Sequence, residues 1–227
     1  MGSFRVLARL GATSIALVLL GGACGSGADA PPAGPTPAPS AAADALFQTG
    51  LDQMQGTASL RFETELYAGD TDTLISRRID EQVAPDRGRQ TLHDIKSGSK
   101  STATIVGRRV VQVTEGEEPI ETELSEAESF TYPGTWKAEY GNETGFSIVR
   151  DETLEGRDAT LIRQWRPDPA RPGGYAERLI WIDKETGRIL RWDVSKYLMD
   201  GDKPRRAQRF VSSLWEFDAD VTIELPS

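Results

Sequence analysis

The spacing of apolar residues changes once, near the start of the folded part of the chain. Apolar residues from Phe47 to Met54 recur at intervals of three and four, which predicts a helix over Ala42–Gln55 with Gly56 as its C-terminal cap. Over Ala58–Tyr67 apolar and polar residues alternate instead, and this period of two predicts a strand with one buried face. The chain therefore begins with one helix and continues in β structure.

Further strand-like runs follow to the C-terminus, separated by turns rich in Gly, Asp and Pro. They are Thr73–Val83, Arg89–Ile95, Ser101–Val106, Arg109–Thr114, Phe146–Leu154, Ala159–Arg166, Tyr175–Asp183, Arg188–Leu198, Arg205–Trp215 and, more weakly, Ala219–Glu224. Tight turns imply antiparallel pairing, and so many strands should curl rather than stay flat. The pattern predicts a mainly β (α+β) domain built on a single curled antiparallel sheet.

Residues 116–145 fit this pattern poorly. The segment is acidic and carries no alternation of apolar and polar residues. Leu124–Phe130 is compatible with a short helical turn, and Phe130–Trp136 is predicted to be a loop dense in aromatic residues.

The first 23 residues have the three zones of a secretory signal peptide. Arg5 and Arg9 are followed by an apolar stretch over residues 10–20 and by small residues at 21–23. The eleven residues of that stretch are about half of the roughly 20 that a membrane-spanning helix needs. We therefore expect residues 1–23 to be removed from the mature chain.

Cys24 is the only cysteine, which excludes an internal disulfide. It directly follows Leu-Leu-Gly-Gly-Ala, a segment that resembles the lipobox of bacterial lipoproteins, although Gly21 stands where that pattern prefers leucine. The resemblance implies a lipidated (diacylglyceryl or palmitate-bearing) Cys24 that anchors the mature protein to a membrane. The alternative is an ordinary signal peptide followed by a free, exposed cysteine.

The mature chain divides into a tether and one folded domain. Residues 24–43 are rich in Pro, Ala and Gly and cannot bury enough apolar surface to fold, so they predict a semi-extended tether. Residues 44–227 are long enough for one domain with a substantial core.

The charge of the chain narrows the classes of partner. The net charge is −9, and removal of Arg5 and Arg9 with the signal peptide leaves 24 basic and 35 acidic residues, a net charge of −11. A nucleic-acid-binding protein needs a basic surface, so this class is disfavoured. Broad electrostatic attraction of the folded domain to anionic lipids is disfavoured too, so the membrane is expected to be a partner only through the lipid anchor.

Residues suited to catalysis or metal binding are scarce. His93 is the only histidine and lies on a predicted strand, where a solvent-facing polar residue is the simplest interpretation. A hydrolytic triad needs a base beside its nucleophile, and zinc needs three or four His or Cys ligands. We therefore expect no cofactor, no metal site and no enzymatic activity.

The C-terminal third carries a pattern found in a known family. The hairpin Trp181–Trp192 contains Ile-Asp-x-x-Thr-Gly, and the chain closes with Phe217-Asp-Ala-Asp-Val-Thr-Ile-Glu-Leu-Pro226. Together with the early helix, the Ala58–Tyr67 strand and a cysteine followed by a tether, this is similar to the LolA/LolB lipoprotein-carrier superfamily, especially the LppX/LprG-type actinobacterial lipoproteins. The resemblance implies an unclosed half-barrel whose concave face is covered by helices. The family's lid helices would fall in residues 116–145, where this chain is short and loop-like.

The same resemblance implies a function. The hollow of such a half-barrel takes acyl chains of lipids, glycolipids or lipoproteins, so the chain is expected to be a monomeric lipid carrier of the envelope, anchored to the outer face of the cell membrane or the periplasmic membrane face. An interaction or sensor lipoprotein without a stable ligand is the main alternative, with an envelope protein as its partner, and a structural envelope domain is a third.

Apolar residues of the predicted sheet are the candidates for lining such a hollow, although a shift of one residue in register would reverse their faces. The five tryptophans are either core residues or part of that lining. The candidate ligand-binding residues are Leu60, Phe62, Leu66, Phe146, Ile148, Trp165, Ile180, Ile182, Trp192 and Val194.

Overall fold

A computed structural model describes residues 38–69, 71–124, 133–168, 173–200 and 203–226. These residues form one antiparallel sheet of eleven strands, a long helix and a short helix. Neither of these helices is both long and apolar enough to cross a membrane. The predicted signal peptide, Cys24 and most of the predicted tether lie outside the described residues.

The helices are α1 (Ala41–Gln55) and α2 (Pro133–Tyr140). The strands are β1 (Ser59–Ala68), β2 (Thr73–Val83), β3 (Arg87–Asp94), β4 (Lys100–Val106), β5 (Arg109–Thr114), β6 (Ile120–Glu123), β7 (Phe146–Leu154), β8 (Arg157–Pro167), β9 (Gly174–Asp183), β10 (Ile189–Asp200) and β11 (Lys203–Phe217).

The order of the strands across the sheet is β6-β5-β4-β3-β2-β1-β11-β10-β9-β8-β7. Two meanders, β1–β6 and β7–β11, are therefore joined side by side where β1 pairs with β11. The edge strands β6 and β7 do not pair with each other, so the sheet forms an unclosed half-barrel. The predicted mainly β fold with one curled antiparallel sheet is confirmed.

Irregularities in strand pairing bend the sheet. Register shifts occur at Arg61/Phe62 in the β1–β11 pair, at Leu66/Tyr67 in the β1–β2 pair and at Lys196/Tyr197 in the β10–β11 pair. An extra residue on one strand bends that strand and increases its twist. Further shifts occur at Ile189/Arg191 in the β9–β10 pair and at Ile148/Arg150 in the β7–β8 pair, so the irregularities extend from the centre of the sheet to one edge.

Helix α1 is fastened to the concave face at its first turn. Ser40 caps the helix, because its Oγ accepts a hydrogen bond of 3.2 Å from the Ala43 amide. The Ser40 amide donates to the Phe146 carbonyl, and the Phe146 amide donates to the Asp44 carboxylate, each at 2.9 Å. The helix therefore starts at Ala41, so residues 41–43 belong to the helix and not to the predicted tether.

The Ile-Asp-x-x-Thr-Gly hairpin supports the other end of α1. The Asp183 carboxylate accepts hydrogen bonds from the amides of Glu185 and Thr186, at 2.8 and 3.1 Å. Gly187 has a φ of +72°, which favours glycine, and its backbone lies close to α1. A Cβ at Gly50 of α1 would come within 3.0 Å of the Ile189 side chain, so this glycine permits close packing of the helix on β10.

Two predicted features at the ends of the sheet differ from the structure. The edge strand β6 (Ile120–Glu123) was not predicted, because a short, mostly exposed strand does not need an apolar face. The weakly predicted strand Ala219–Glu224 is wrong: no secondary structure follows β11 up to residue 226. Side chains bind this segment instead, since Arg87 Nη1 donates to the Ile223 carbonyl at 3.0 Å and the buried Ile223 holds it against the domain.

The segment predicted to be an aromatic loop contains helix α2. The loop prediction for Phe130–Trp136 is wrong from Pro133 onward, where α2 begins with a proline at its first position. Trp136 and Tyr140, one helical turn apart, both pack against the core under α1. The predicted helical turn over Leu124–Phe130 falls, apart from the buried Leu124, outside the described residues.

Candidate functional site

The main core lies between the concave face of the sheet and helix α1. Its strand residues are fully or nearly fully buried, and we call them the covered region: Leu60, Phe62, Phe146, Ile162, Ile180, Ile182 and Ile189. Helix α1 contributes the residues of its predicted apolar stripe, and Phe47 and Phe146 lie 4.4 Å apart between ring centroids. Amino-acid side chains therefore fill this part of the concave face.

Helix α2 extends the cover toward the middle of the sheet. The Trp136 ring makes edge contacts with Phe62 and Trp192, both with centroids 6.3 Å apart. Tyr140 lies 5.2 Å from Trp192, and burial raises the pKa of its hydroxyl, as does the adjacent Glu139 carboxylate. The short helix thus places an aromatic group over β1 and β10, at the boundary of the covered region.

Three apolar residues of the concave face lie outside the covered region. The lower end of the sheet is the end that carries the β1–β2, β8–β9 and β10–β11 turns. Toward it lie Leu66 on β1, Phe210 on β11 and Val194 on β10, which are direct neighbours in register. All three are partly exposed and lie outside the buried core clusters. We call these three residues the lower strip.

Nine of the ten candidate ligand-binding residues share the concave face. Six of them are packed in the core, namely Leu60, Phe62, Phe146, Ile180, Ile182 and, partly buried, Trp192. Ile148 pairs with Ile162 near the β7 edge and is 39% exposed. Only Leu66 and Val194 lie in the lower strip.

Trp165 does not join the other nine candidates, because strand alternation places it on the convex face. Its neighbours Gln164 and Arg166 point toward the concave side, whereas Trp165 pairs with Glu177 on β9. There it stacks on Tyr175 at 5.7 Å and contacts Tyr197 at 5.1 Å. Burial, together with Glu177, raises the pKa of Tyr197 to about 12.

Three cationic side chains adjoin the lower strip on the concave face. Arg178 on β9 pairs in register with Val194, and Ala176, two residues before it, pairs with both Lys196 on β10 and Arg166 on β8. We call Arg166, Arg178 and Lys196 the cationic corner. The sequence pattern alone does not indicate this corner, because charged residues of adjacent strands come together only through the register of the strands.

Glu143, which follows α2, connects this helix to the cationic corner. Its carboxylate forms ion pairs with Arg178 Nη1 and, at 2.9 Å, with Arg166 Nη1. The Arg178 guanidinium also lies 5.8 Å from the centroid of the Trp192 ring. Burial lowers the pKa of Arg178, whereas Glu143 raises it.

The concave face of the other meander is more polar. Asp80 on β2 is fully buried and accepts hydrogen bonds from Arg78 Nε at 2.6 Å and from Gln90 Nε2 at 2.7 Å. Burial raises the pKa of Asp80, against the opposing effect of Arg78. A smaller apolar cluster of Ile105, Val110 and Leu124 lies beyond this group. Apolar surface suited to a ligand is therefore concentrated around β1, β10 and β11.

His93 lies exposed on β3, in register with Arg77 and Lys100. Within the described ranges, no three His, Cys, Asp or Glu residues are grouped so that they could hold a metal ion.

Comparison with known structures shows the type of fold. The chain superposes on lipoprotein LppX of Mycobacterium tuberculosis with a TM-score of 0.55 and 12% identity, covering 81% of this chain and 98% of LppX. The chain therefore has an LppX-type fold. LprF of Mycobacterium bovis is similar as well, with a TM-score of 0.56, 14% identity and coverage of 84% of this chain and 99% of LprF. No protein-family model and no curated protein matches the sequence.

The LppX-type fold confirms the predicted resemblance at the level of architecture. At such low identity, shared structure depends on the alternation of apolar residues and on the turns, not on particular side chains. The residues that would determine a ligand must therefore be identified from this chain's own geometry.

Proposed function

We propose that this protein is an exported lipoprotein, anchored by lipid on Cys24, that binds acyl chains of a lipid or glycolipid on its concave face for transport across the cell envelope. The observation that carries the proposal is the lower strip. Leu66, Phe210 and Val194 form a continuous, partly exposed apolar surface over three adjacent strands, on the face that the helices cover elsewhere. Apolar surface of this kind favours a ligand made of hydrocarbon.

The charge of the mature chain supports a lipid anchor. A net charge of −11 would repel the domain from an anionic membrane surface, so attachment needs another source of affinity. Each buried methylene of an acyl chain adds about 0.8 kcal/mol of membrane affinity. The tether would then hold the domain beside the membrane from which a lipid is taken or to which it is delivered.

One observation favours a second function, a sensor or interaction lipoprotein without a stable ligand. The covered region is filled by the protein's own side chains, as the Phe47–Phe146 contact shows. If the lower strip is covered by a partner protein instead of a lipid, the same fold would act in recognition and not in transport.

Native mass spectrometry separates these two functions. The full chain carrying Cys24→Ser, purified from its own host, is expected to retain a lipid whose mass adds to that of the protein. The same chain with Leu66→Arg should lose this lipid, whereas Trp165→Arg on the convex face should keep it. A bare mass in all three variants, with no uptake of a fluorescent fatty acid, would exclude the carrier function.

The anchor is tested independently of the ligand. Cys24→Ser is expected to move the protein from the membrane fraction to the aqueous fraction or to stop signal-peptide processing, whereas Ser26→Ala should change neither. Unchanged membrane association of the Cys24→Ser chain would contradict lipidation.

A further inference from the structure

A small, buried residue, Ala176, lies at the centre of the cationic corner. Ala176 on β9 lies between Lys196 on β10 and Arg166 on β8, each one strand away at about 4.8 Å. Arg178 is two residues along β9 on the same face. Three long cationic side chains therefore surround a residue whose side chain is a single methyl group.

Among the described residues, one carboxylate forms ion pairs with the cationic corner. Glu143 is the one carboxylate paired with Arg166 and Arg178 in the described ranges. Lys196 forms no ion pair there, and its ammonium lies 5.6 Å from the centroid of the Phe210 ring. Three cationic side chains thus share one ion-paired carboxylate, with the buried Asp168 two residues beyond Arg166, in a protein whose net charge is strongly negative.

Hydrogen-bond donors in the corner are also unused. Arg178 is only 9% exposed, yet its buried Nε has no hydrogen-bond partner in the described structure, and the same holds for Arg166 Nε. A buried donor without a partner is costly, and most buried polar groups in proteins are paired. In this corner the two donors lie beside the lower strip, where the oxygens of a ligand could accept from them.

The corner is continuous with the lower strip. Arg178 pairs in register with Val194, and Lys196 follows Val194 by two residues on the same face. An amphiphile whose chains lie along the strip would therefore bring its polar end next to the guanidinium groups and the ammonium.

We propose that Arg166, Arg178 and Lys196 bind the anionic head group, a phosphate or a carboxylate, of an amphiphile whose chains lie on the lower strip. This inference rests on the proposed function and adds the charge of the ligand. Planar guanidinium groups suit the oxygens of such anions. In the absence of a ligand, the Glu143 carboxylate takes the position of the anion beside Arg166 and Arg178. The site would discriminate against neutral lipids, because their head groups leave the donors unsatisfied.

The test compares two probes that have identical acyl chains, fluorescent phosphatidic acid and fluorescent diacylglycerol. On the full Cys24→Ser chain the anionic probe should bind about tenfold more tightly, which corresponds to one charge-assisted hydrogen bond. Lys196→Gln, and separately Arg166→Gln, should remove most of this preference without changing affinity for the neutral probe. Lys184→Gln, on an exposed turn at the opposite end of the sheet, is the matched control.

Glu143→Gln gives a result that a purely structural ion pair would not give. Removal of the competing carboxylate should strengthen binding of the anionic probe several-fold, since both guanidinium groups become available to the ligand. If Glu143 only fastens α2 to the sheet, the same variant should weaken both probes equally, and this outcome would overturn the inference.

The remaining outcomes separate the inference from the proposed function. Equal affinity for both probes would overturn the head-group site and leave lipid binding intact. If neither probe binds, the carrier function fails, and titration with inorganic phosphate alone then decides whether an anion site exists. Displacement of phosphatidic acid by inorganic phosphate would assign recognition to the free anion, whereas no displacement would assign it to a head group held by its chains.

Discussion

The covered region and the lower strip belong to the same face of the same strands, yet only one of them is packed like a core. Leu60 of the covered region is fully buried beneath α1. Leu66 lies six residues further along β1 on the same face, is partly exposed and is not among the residues of the buried clusters. The difference arises from the helices, because strand alternation determines the face of a residue but not what covers it.

The difference between the two regions indicates where a ligand can bind without unfolding the domain. The covered region is buried under helix α1, whereas the residues of the lower strip are partly exposed. A binding surface is expected where apolar residues are left out of the core, beside groups that can orient the ligand.

The two regions should differ most in how much truncation of a leucine lowers the free energy of unfolding. Leu60→Ala should lower the free energy of unfolding by about 2–5 kcal/mol, because it leaves a cavity in a closely packed core. Leu66→Ala should cost about 1 kcal/mol or less, because the side chain is already partly exposed. Urea denaturation followed by circular dichroism measures both, and equal losses would remove the distinction.

The two regions should also differ in their effect on affinity for a fatty acid. Leu66→Arg should lower affinity for a fluorescent fatty acid at least tenfold, since the guanidinium places a charge in the path of the acyl chain. The fold should persist, because an arginine at a partly exposed site can extend to solvent. Trp165→Arg, on the convex face, should leave affinity unchanged, and loss of binding in both variants would point to a general effect on the fold.

Phe62 would be a poorer choice for this purpose. It is 6% exposed and contacts Trp136 of α2, so a charged substitution there should disrupt packing and binding together.

The smallest expected effect concerns what holds α2 in place. Lys137 pairs with Asp52 of α1, but both side chains are nearly half exposed. Lys137→Gln should therefore change the free energy of unfolding by no more than about 0.5 kcal/mol. A larger loss in thermal denaturation would mean that the ion pair, and not the aromatic contacts of Trp136, fastens the helix.

Much of the architecture could be predicted because it depends on local periodicity. The alternation of Ala58–Tyr67 and the stripe of α1 require only neighbours in sequence, and both are confirmed. The sequence does not indicate that Trp165 faces the convex side, because Leu161 and Ile162 are both buried, one on each face of β8. The pattern there therefore fits either even-numbered or odd-numbered residues facing α1.

Other features depend on contacts between distant parts of the chain. Helix α2 has eight residues, too few to be stable alone, and it forms because Trp136 and Tyr140 pack on a core built from other strands. The cationic corner likewise requires the register of β8, β9 and β10 and the position of Glu143. No local pattern could have indicated either feature.

Binding of acyl chains on the lower strip is tested most directly by photolabelling of the full Cys24→Ser chain with a diazirine-bearing fatty acid. The labelled peptides are then mapped by mass spectrometry. Label is expected on the lower strip, in peptides that contain Leu66, Val194 and Phe210. Label confined to the convex face around Trp165, or no label that an unmodified fatty acid can displace, would contradict this expectation.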